Sequence, residues 1–429
     1  MPANLGTDNH IRDRGHDVGE QADAGTMEAV TSIPHRLSQA LEIDIRPGRI
    51  IQMEGMRGYA VLLVFLVHHH NLFGRYLPES SVLLTLSQFG NVIGHSGVDL
   101  FFVLSGYLIY GHLIQRPVSY VSFFRKRIRR IYPTFLVVLG TYVLLCHLIP
   151  SISKLPRGAS KELLYVVGNI LLLPGIFDIP ALVTVAWSLS YEFFFYLCIP
   201  SIIALFGMRT WRRGWRISFF ASLTLIHFVG YRFALLPHIR LAMFLAGVIA
   251  YEIADGGWLK GKLSRGGEFF MVTGYLAVLG ALGNSALVPQ SVVPEYPSIL
   301  RISLLWAALF GLTIYSTMFN GMLTAIFSYA PLRYLGNMSY SYFLLHGLIL
   351  NVVAFSLVNL VGVQGKSEAL FLALLPVNLL LTLAASLALF LLVEKPFSLA
   401  VTRRRIATGG PTKADVRGIG EDKEQVCSE

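Results

Sequence analysis

Apolar stretches of about 20 residues recur along most of this chain, separated by short polar turns. They fall at about 58–77, 94–114, 131–150, 163–186, 187–207, 217–235, 238–253, 269–288, 298–319, 338–361 and 369–393. A helix needs roughly 20 such residues to cross a bilayer, so the pattern predicts helices that span a membrane. The loop 115–130 carries Arg116, Arg125, Lys126, Arg127, Arg129 and Arg130. Basic loops stay in the cytoplasm. This loop follows the second stretch, so the N-terminus is expected inside as well. The C-terminal tail, with Arg403, Arg404 and Arg405, is expected on the same side, which demands an even number of crossings. Among the eleven stretches, 163–186 is interrupted by Gly168, Pro174, Gly175 and Pro180. Proline in a helix interior breaks the hydrogen-bond ladder. This segment is therefore expected to be broken or re-entrant. Leaving it out of the count also brings Arg209, Arg212, Arg213, Arg216, Lys260, Lys262 and Arg265 to the cytoplasmic side. The expected fold is an all-α polytopic membrane protein with about ten transmembrane helices plus that segment, both termini cytoplasmic.

Composition agrees with the pattern. Only 14% of the 429 residues are charged, against about 25% in soluble domains, so a soluble enzyme is excluded. Three cysteines, Cys146, Cys198 and Cys427, are too few for a disulfide framework or a cysteine-rich metal site. Residues 1–49 are polar, contain no apolar signal-peptide core, and read as a disordered cytoplasmic tail. Residues 401–429 read the same way, leaving 50–400 as the transmembrane domain. The net charge of +10 is concentrated in that middle region. Much of it serves orientation in the membrane. Nucleic-acid binding does not suit so apolar a chain, whereas a basic pocket for an anionic substrate does.

Ionisable residues inside apolar stretches are costly and so draw attention. Arg57 and His68 are eleven positions apart, three helical turns plus about 20°, and so share a helix face with an axial separation of roughly 16 Å. Arg57 sits at the cytoplasmic end and His68 near the bilayer midplane. The run His68-His69-His70 points in three directions and is not a helical zinc site; no metal is expected. Asp99 opens the second stretch, where a carboxylate also suits the helix dipole. Ser105 and Gly106 follow and also suit close helix packing. Arg127 and Arg130 share a helix face, and guanidinium groups there suit phosphates as well as an interfacial anchor. Tyr132 and Pro133 end this run. Trp187, Ser188 and Glu192 open a further stretch, with Ser188 and Glu192 one turn apart. His346 lies inside the penultimate stretch. Glu394 closes the last one and reads as an interfacial structural residue.

Taken together, these residues resemble the acyltransferase-3 family of membrane O-acyltransferases over about residues 50–400. The resemblance rests on Arg57 and His68 with ten residues between them, Gly97 to Gly106, the Arg127–Arg130–Tyr132–Pro133 run, Trp187-Ser188-Leu189 with Glu192, and His346. Glu54 stands where Asp is commoner, and Phe193-Phe194 replace more polar residues, which bears on the acceptor pocket. Many relatives carry a C-terminal hydrolase-like domain. This chain extends only about 35 residues past its last stretch, so a stand-alone transferase is expected.

The resemblance implies a multi-pass protein of the inner cell membrane. Its donor is acetyl-CoA or another acyl-CoA, and its acceptor a hydroxyl of a cell-surface carbohydrate or glycolipid. Membrane lipids are its surroundings. On this expectation Arg57, Arg127 and Arg130 bind the donor's phosphates. His68 acts as general base, or as a transient acyl carrier. Asp99 and Glu192 orient the acceptor or polarise its hydroxyl. Trp187, Ser188, Tyr132 and His346 are further candidate site residues. The rival expectation is a transporter or flippase of a small solute or glycolipid, in which the buried Asp99, Glu192 and histidines form a solute or proton path.

Overall fold

In the computed structural model, residues 41–42, 50–236, 238–284, 299–359, 361–362 and 365–399 are described. The expectations for disorder in the two tails fall, apart from residues 41 and 42, outside them. Among the described residues all regular structure is helical: α1 (Gln52–Phe73), α2 (Val82–Gly94), α3 (Ser96–Gln115), α4 (Tyr120–Leu148), α5 (Ala159–Ile170), α6 (Ala186–Leu205), α7 (Arg213–Arg232), α8 (Ala242–Gly256), α9 (Arg265–Asn284), α10 (Ile299–Met318), α11 (Met322–Ser328), α12 (Ala330–Asn337), α13 (Ser339–Asn359) and α14 (Glu368–Leu389), with short 3₁₀ turns between some of them. A π-helical turn, Phe390–Leu399, continues α14.

Seven described helical stretches are long and apolar enough to cross a membrane: Val82–Gln115, Tyr120–Leu148, Ala186–Leu205, Arg265–Gly283, Ile299–Met318, Ser339–Asn359 and Glu368–Leu399. Helix α1, with Arg57 and three histidines, and α7, with Arg213, Arg216 and Arg232, are long enough but more polar. Helix α8 has 15 residues. The interruption within 163–186 is present. Helix α5 stops at Ile170, and the chain then runs irregularly to Val185. Leu172 adopts a φ of 55° and Gly175 one of 88°. Asn169, fully buried, stitches this stretch together: Leu182 N donates to its Oδ1 at 2.8 Å, and its Nδ2 donates to Tyr165 O at 3.0 Å. Nδ2 also donates to Pro180 O at 3.4 Å, so this side-chain amide satisfies Leu182 N and Pro180 O, which no ladder reaches.

Helix α1 is the hub. It packs against α2, α3, α10, α11, α12, α13 and α14. Of its polar residues, Glu54 and His69 are buried and Arg57 and His68 half-buried. Backbone approaches backbone at two glycine-lined crossings. A Cβ on Gly58 would lie 2.0 Å from Leu332 O, and one on Gly336 would lie 1.7 Å from Glu54 O, which locks α12 onto α1. Helix α8 crosses α3 in the same manner through Gly106 and Gly247, so the close packing expected at Gly106 is present. Only small residues allow such contact.

Candidate functional site

Three cavities follow one another along α1. The first, with about 1460 Å³ of empty volume, opens at the N-terminal end, where Met53, Glu54 and Arg57 meet His112 and Gln115 of α3 and Lys260 beyond α8. The second is a cleft of about 910 Å³, to which Arg57, Ser105, Arg127, Arg130, Ser188, Glu192, Tyr196, Ser339 and Tyr340 contribute. The third, of about 470 Å³, contains Val64, Val67, His68 and Asn71 near the C-terminal end of α1. Arg57 and Leu108 border both the first and the second cavity. Val98 and Phe343 border both the second and the third. The one-face register of Arg57 and His68 therefore has a physical meaning: the two residues face successive spaces of one row.

The cleft carries three guanidinium groups and one carboxylate. Neither Arg57 nor Arg127 is held in an ion pair by a described residue. Arg127 instead lies over the rings of Phe123 and Tyr196, at 5.1 and 5.3 Å from their centroids, a cation–π arrangement that leaves its charge unneutralised. Arg130 differs. Its Nη1 is 2.6 Å from Oε1 of Glu394, while Glu394 Oε2 accepts from Ser341 N at 3.1 Å and from Ser341 Oγ at 2.5 Å. Glu394 is fully buried. The residue read as interfacial from its place at the end of an apolar stretch is thus enclosed by protein. The π-helical turn carries it inward against α4 and α13, and such turns recur at functional sites. The remaining charges of the basic run, Arg125, Lys126 and Arg129, are exposed.

Glu192 faces the cleft. Ser105 Oγ donates to its Oε1 at 2.7 Å, and Tyr196 OH donates to the same oxygen. Oε2 remains free to accept another hydrogen bond. Ser188 also lines the cleft, but its hydroxyl donates to Val185 O at 2.9 Å. Sequence reading had not singled out Tyr196 or Tyr340 as site residues. They are aromatic residues in aromatic-rich helices, and only the tertiary arrangement turns them inward.

His68 lines the third cavity and not the arginine cleft. Its ring meets that of His346 edge-on, with centroids 4.6 Å apart. His346 is fully buried, and its Nδ1 lies 3.1 Å from Tyr342 O. A carbonyl only accepts, so Nδ1 carries the hydrogen, and Nε2 is left with a lone pair and no partner. Trp187 borders the same cavity. Asp99 lies in the first turn of α3, as its helix-dipole reading expected. It lines none of the three cavities. It is buried and faces Arg240, whose Nη1 is 3.6 Å from its Oδ1. Arg240 in turn lies over the Trp187 ring at 5.7 Å. Asp99 is thus linked to the His68 chamber through Arg240 and Trp187. Tyr132 packs against Phe135 and Phe193 and lines none of these cavities. Among the described residues, no group of His, Cys, Asp and Glu side chains is arranged to hold a metal ion.

The acyltransferase-3 family, an acyltransferase domain, matches residues 50–394. The chain belongs to this family. It is an acyltransferase, as sequence reading expected. The chain is 28% identical over 327 residues to the exopolysaccharide production protein ExoZ of Rhizobium meliloti, covering 74% of this chain and 93% of that one. It is 26% identical to the acyltransferase MdmB of Streptomyces mycarofaciens, covering 85% of this chain and 96% of that one. With the peptidoglycan O-acetyltransferase OatA of Listeria monocytogenes it shares 27% identity, over 59% of this chain and 44% of the relative. No solved structure matches it.

Proposed function

We propose that this protein is an integral membrane O-acyltransferase that moves an acyl group, acetyl in the first instance, from cytoplasmic acyl-CoA to a hydroxyl of a cell-surface carbohydrate or glycolipid. The observation that carries the reading is the row of cavities along α1, with unneutralised arginines at one end and His68 at the other. The relatives' names, exopolysaccharide production for ExoZ and peptidoglycan O-acetylation for OatA, support a carbohydrate acceptor. In this reading the chain makes ten crossings of the inner membrane, α1, α7 and α8 included, with 163–186 re-entrant and both termini cytoplasmic. The wide cavity then opens to the cytoplasm, where acyl-CoA is made.

Arg57, Arg127 and Arg130 hold the donor's phosphates, for which planar guanidinium forks are well shaped. The pantetheine arm extends past Glu192 towards His68. Neutral His68 accepts the proton of the acceptor hydroxyl as its oxygen bonds to the thioester carbonyl carbon. The carbon–sulfur bond then breaks, and the sulfur takes the proton back from His68, releasing CoA. His346, locked to Tyr342, holds the His68 ring from one side. Glu192, with one oxygen uncommitted, orients the thioester or the acceptor. Asp99 acts at a distance, by fixing Arg240 and Trp187.

Replacing His68 with Ala tests the assignment. Loss of a general base lowers rate by about 10²–10⁴-fold, with CoA affinity preserved. Undiminished transfer by a folded His68→Ala protein rejects His68 as the base.

A further inference from the structure

The chamber on the far side of His68 differs in chemistry from the arginine cleft. None of its lining residues is Asp, Glu, Lys or Arg. It offers instead the amide of Asn71, the imidazole of His95, the hydroxyl of Thr184 and the indole of Trp187, with His68 behind them. Asn71 and His95 are exposed and form a polar rim, while His68 is half-buried. Neutral hydrogen-bonding groups beside an aromatic ring suit a polyhydroxylated ring, whose hydroxyls pair with the rim and whose C–H faces lie against the indole. A phosphate or carboxylate finds no counter-charge among the lining residues.

The indole is also held in place. The Arg240 guanidinium lies over it at 5.7 Å, and Tyr191 meets it edge-on at 5.6 Å. Arg240 is ion-paired with Asp99 at 3.6 Å, and Tyr191 OH is hydrogen-bonded to His238 Nδ1 at 2.6 Å. A platform that is already ordered loses little freedom when a ligand arrives. This gives a purpose to the ion pair of buried Asp99 with Arg240, neither of which lines the arginine cleft.

We infer that this chamber is the acceptor subsite and takes one uncharged sugar ring, with Asn71 and His95 selecting the hydroxyl presented to His68. The inference rests on the acyl-transfer reading above. The selected hydroxyl loses its proton to His68, its oxygen forms the new ester bond to the acyl carbon, and CoA leaves as the thiol. Asn71 and His95 contact the acceptor but not the donor, so their loss separates the two substrates.

The full-length protein, wild type or with Asn71→Ala, His95→Ala or both, is returned to a host lacking its gene. O-acyl groups on envelope carbohydrate are then measured by mass spectrometry. The same proteins, purified in detergent, are titrated with coenzyme A. Both side chains are exposed, and the melting temperature and gel-filtration profile in detergent report folding. The double variant is expected to lose about tenfold or more in O-acylation, as befits two lost hydrogen bonds, while binding CoA like the wild type. The modified residue is expected to be an uncharged sugar. Undiminished O-acylation by a CoA-binding double variant overturns the subsite. Lost CoA affinity also overturns it, because the chamber then serves the donor, and a uronic acid as the modified residue overturns its neutrality. A wild type that adds no O-acyl group to carbohydrate overturns the acyl-transfer reading itself, and the subsite with it.

Discussion

Arg127 and Arg130 look equivalent in the sequence, three residues apart on one helix face, yet their surroundings give them different burdens. Arg127 faces aromatic rings and no carboxylate. Arg130 neutralises Glu394, a carboxylate with no exposure at all. Removing Arg127 strands no charge. Arg127→Ala is therefore expected to weaken CoA binding while leaving thermal stability in detergent nearly unchanged. Arg130→Ala leaves Glu394 buried and unpaired, a situation that costs about 3–5 kcal/mol when the site stays closed to water. Arg130 is 31% exposed, so the lower end of that range applies. Replacing both members, Arg130→Met with Glu394→Gln, which is uncharged and keeps an acceptor for Ser341, should restore stability without restoring CoA affinity. Melting curves and CoA titrations of these variants check the distinction, and equal stability loss in Arg127→Ala and Arg130→Ala would refute it. Arg57, His68, Arg127 and Glu192 were legible in the sequence because each stands in helical register with another polar residue, which is a local pattern. Glu394 and Arg240 were not. Both sit at the edge of an apolar stretch, where charges are ordinary, and only the tertiary structure shows that Glu394 is buried against Arg130 and that Arg240 pairs with buried Asp99.

At the scale of helices, the long apolar elements were legible and the connecting ones were not. Helix α2 escaped because Thr85, Ser87, Gln88 and Asn91 dilute its apolar pattern; it runs almost unbroken into α3, with only His95 between. Helices α11 and α12 have seven and eight residues, too short to show a period. Yet α12 fixes α1 through Gly58 and Gly336. The interrupted 163–186 segment was legible because proline and glycine act locally on the backbone. Of the close crossings, that of α3 with α8 bears most directly on the cleft, since α3 carries Ser105 to Glu192. A Cβ at Gly247 would sit 1.9 Å from Val103 O and 2.6 Å from Tyr107 N. Backbone atoms cannot yield as a side-chain tip can, so the helices must separate. Gly247→Leu is expected to destabilise the protein by at least the usual overpacking cost of about 1–3 kcal/mol. It should also lower transfer activity, because the Ser105–Glu192 bond is drawn apart. Gly140, whose Cβ would meet nothing within 4 Å, supplies the control: Gly140→Leu should leave melting temperature and activity unchanged. Equal tolerance of both substitutions would show that the α3–α8 contact does not position the cleft.

For the molecule as a whole, the division of labour among the three cavities depends on which side of the membrane each one faces. Donor and acceptor come from opposite compartments in the proposed reaction, so the vestibule near Lys260 and the chamber near Asn71 must open to opposite sides. In the proposed orientation, argued from the basic loops, the arginine-rich run before Tyr132 faces the cytoplasm. Both Lys260 and Asn71 are exposed, and each borders its own cavity, so single cysteines at these positions report access directly. The three native cysteines are first replaced with alanine. A membrane-impermeant maleimide added to intact spheroplasts is then expected to label Asn71→Cys, and to label Lys260→Cys only after the membrane is opened. Preincubation with coenzyme A in opened membranes should slow labelling at Lys260→Cys and not at Asn71→Cys, because the donor occupies the end of the row that holds Arg57. Labelling of both positions from the same side would place donor and acceptor entrances in one compartment. An enzyme so arranged has no route from cytoplasmic acyl-CoA to a surface glycan through these cavities, and the path along α1 would have to be abandoned even if His68 proved essential.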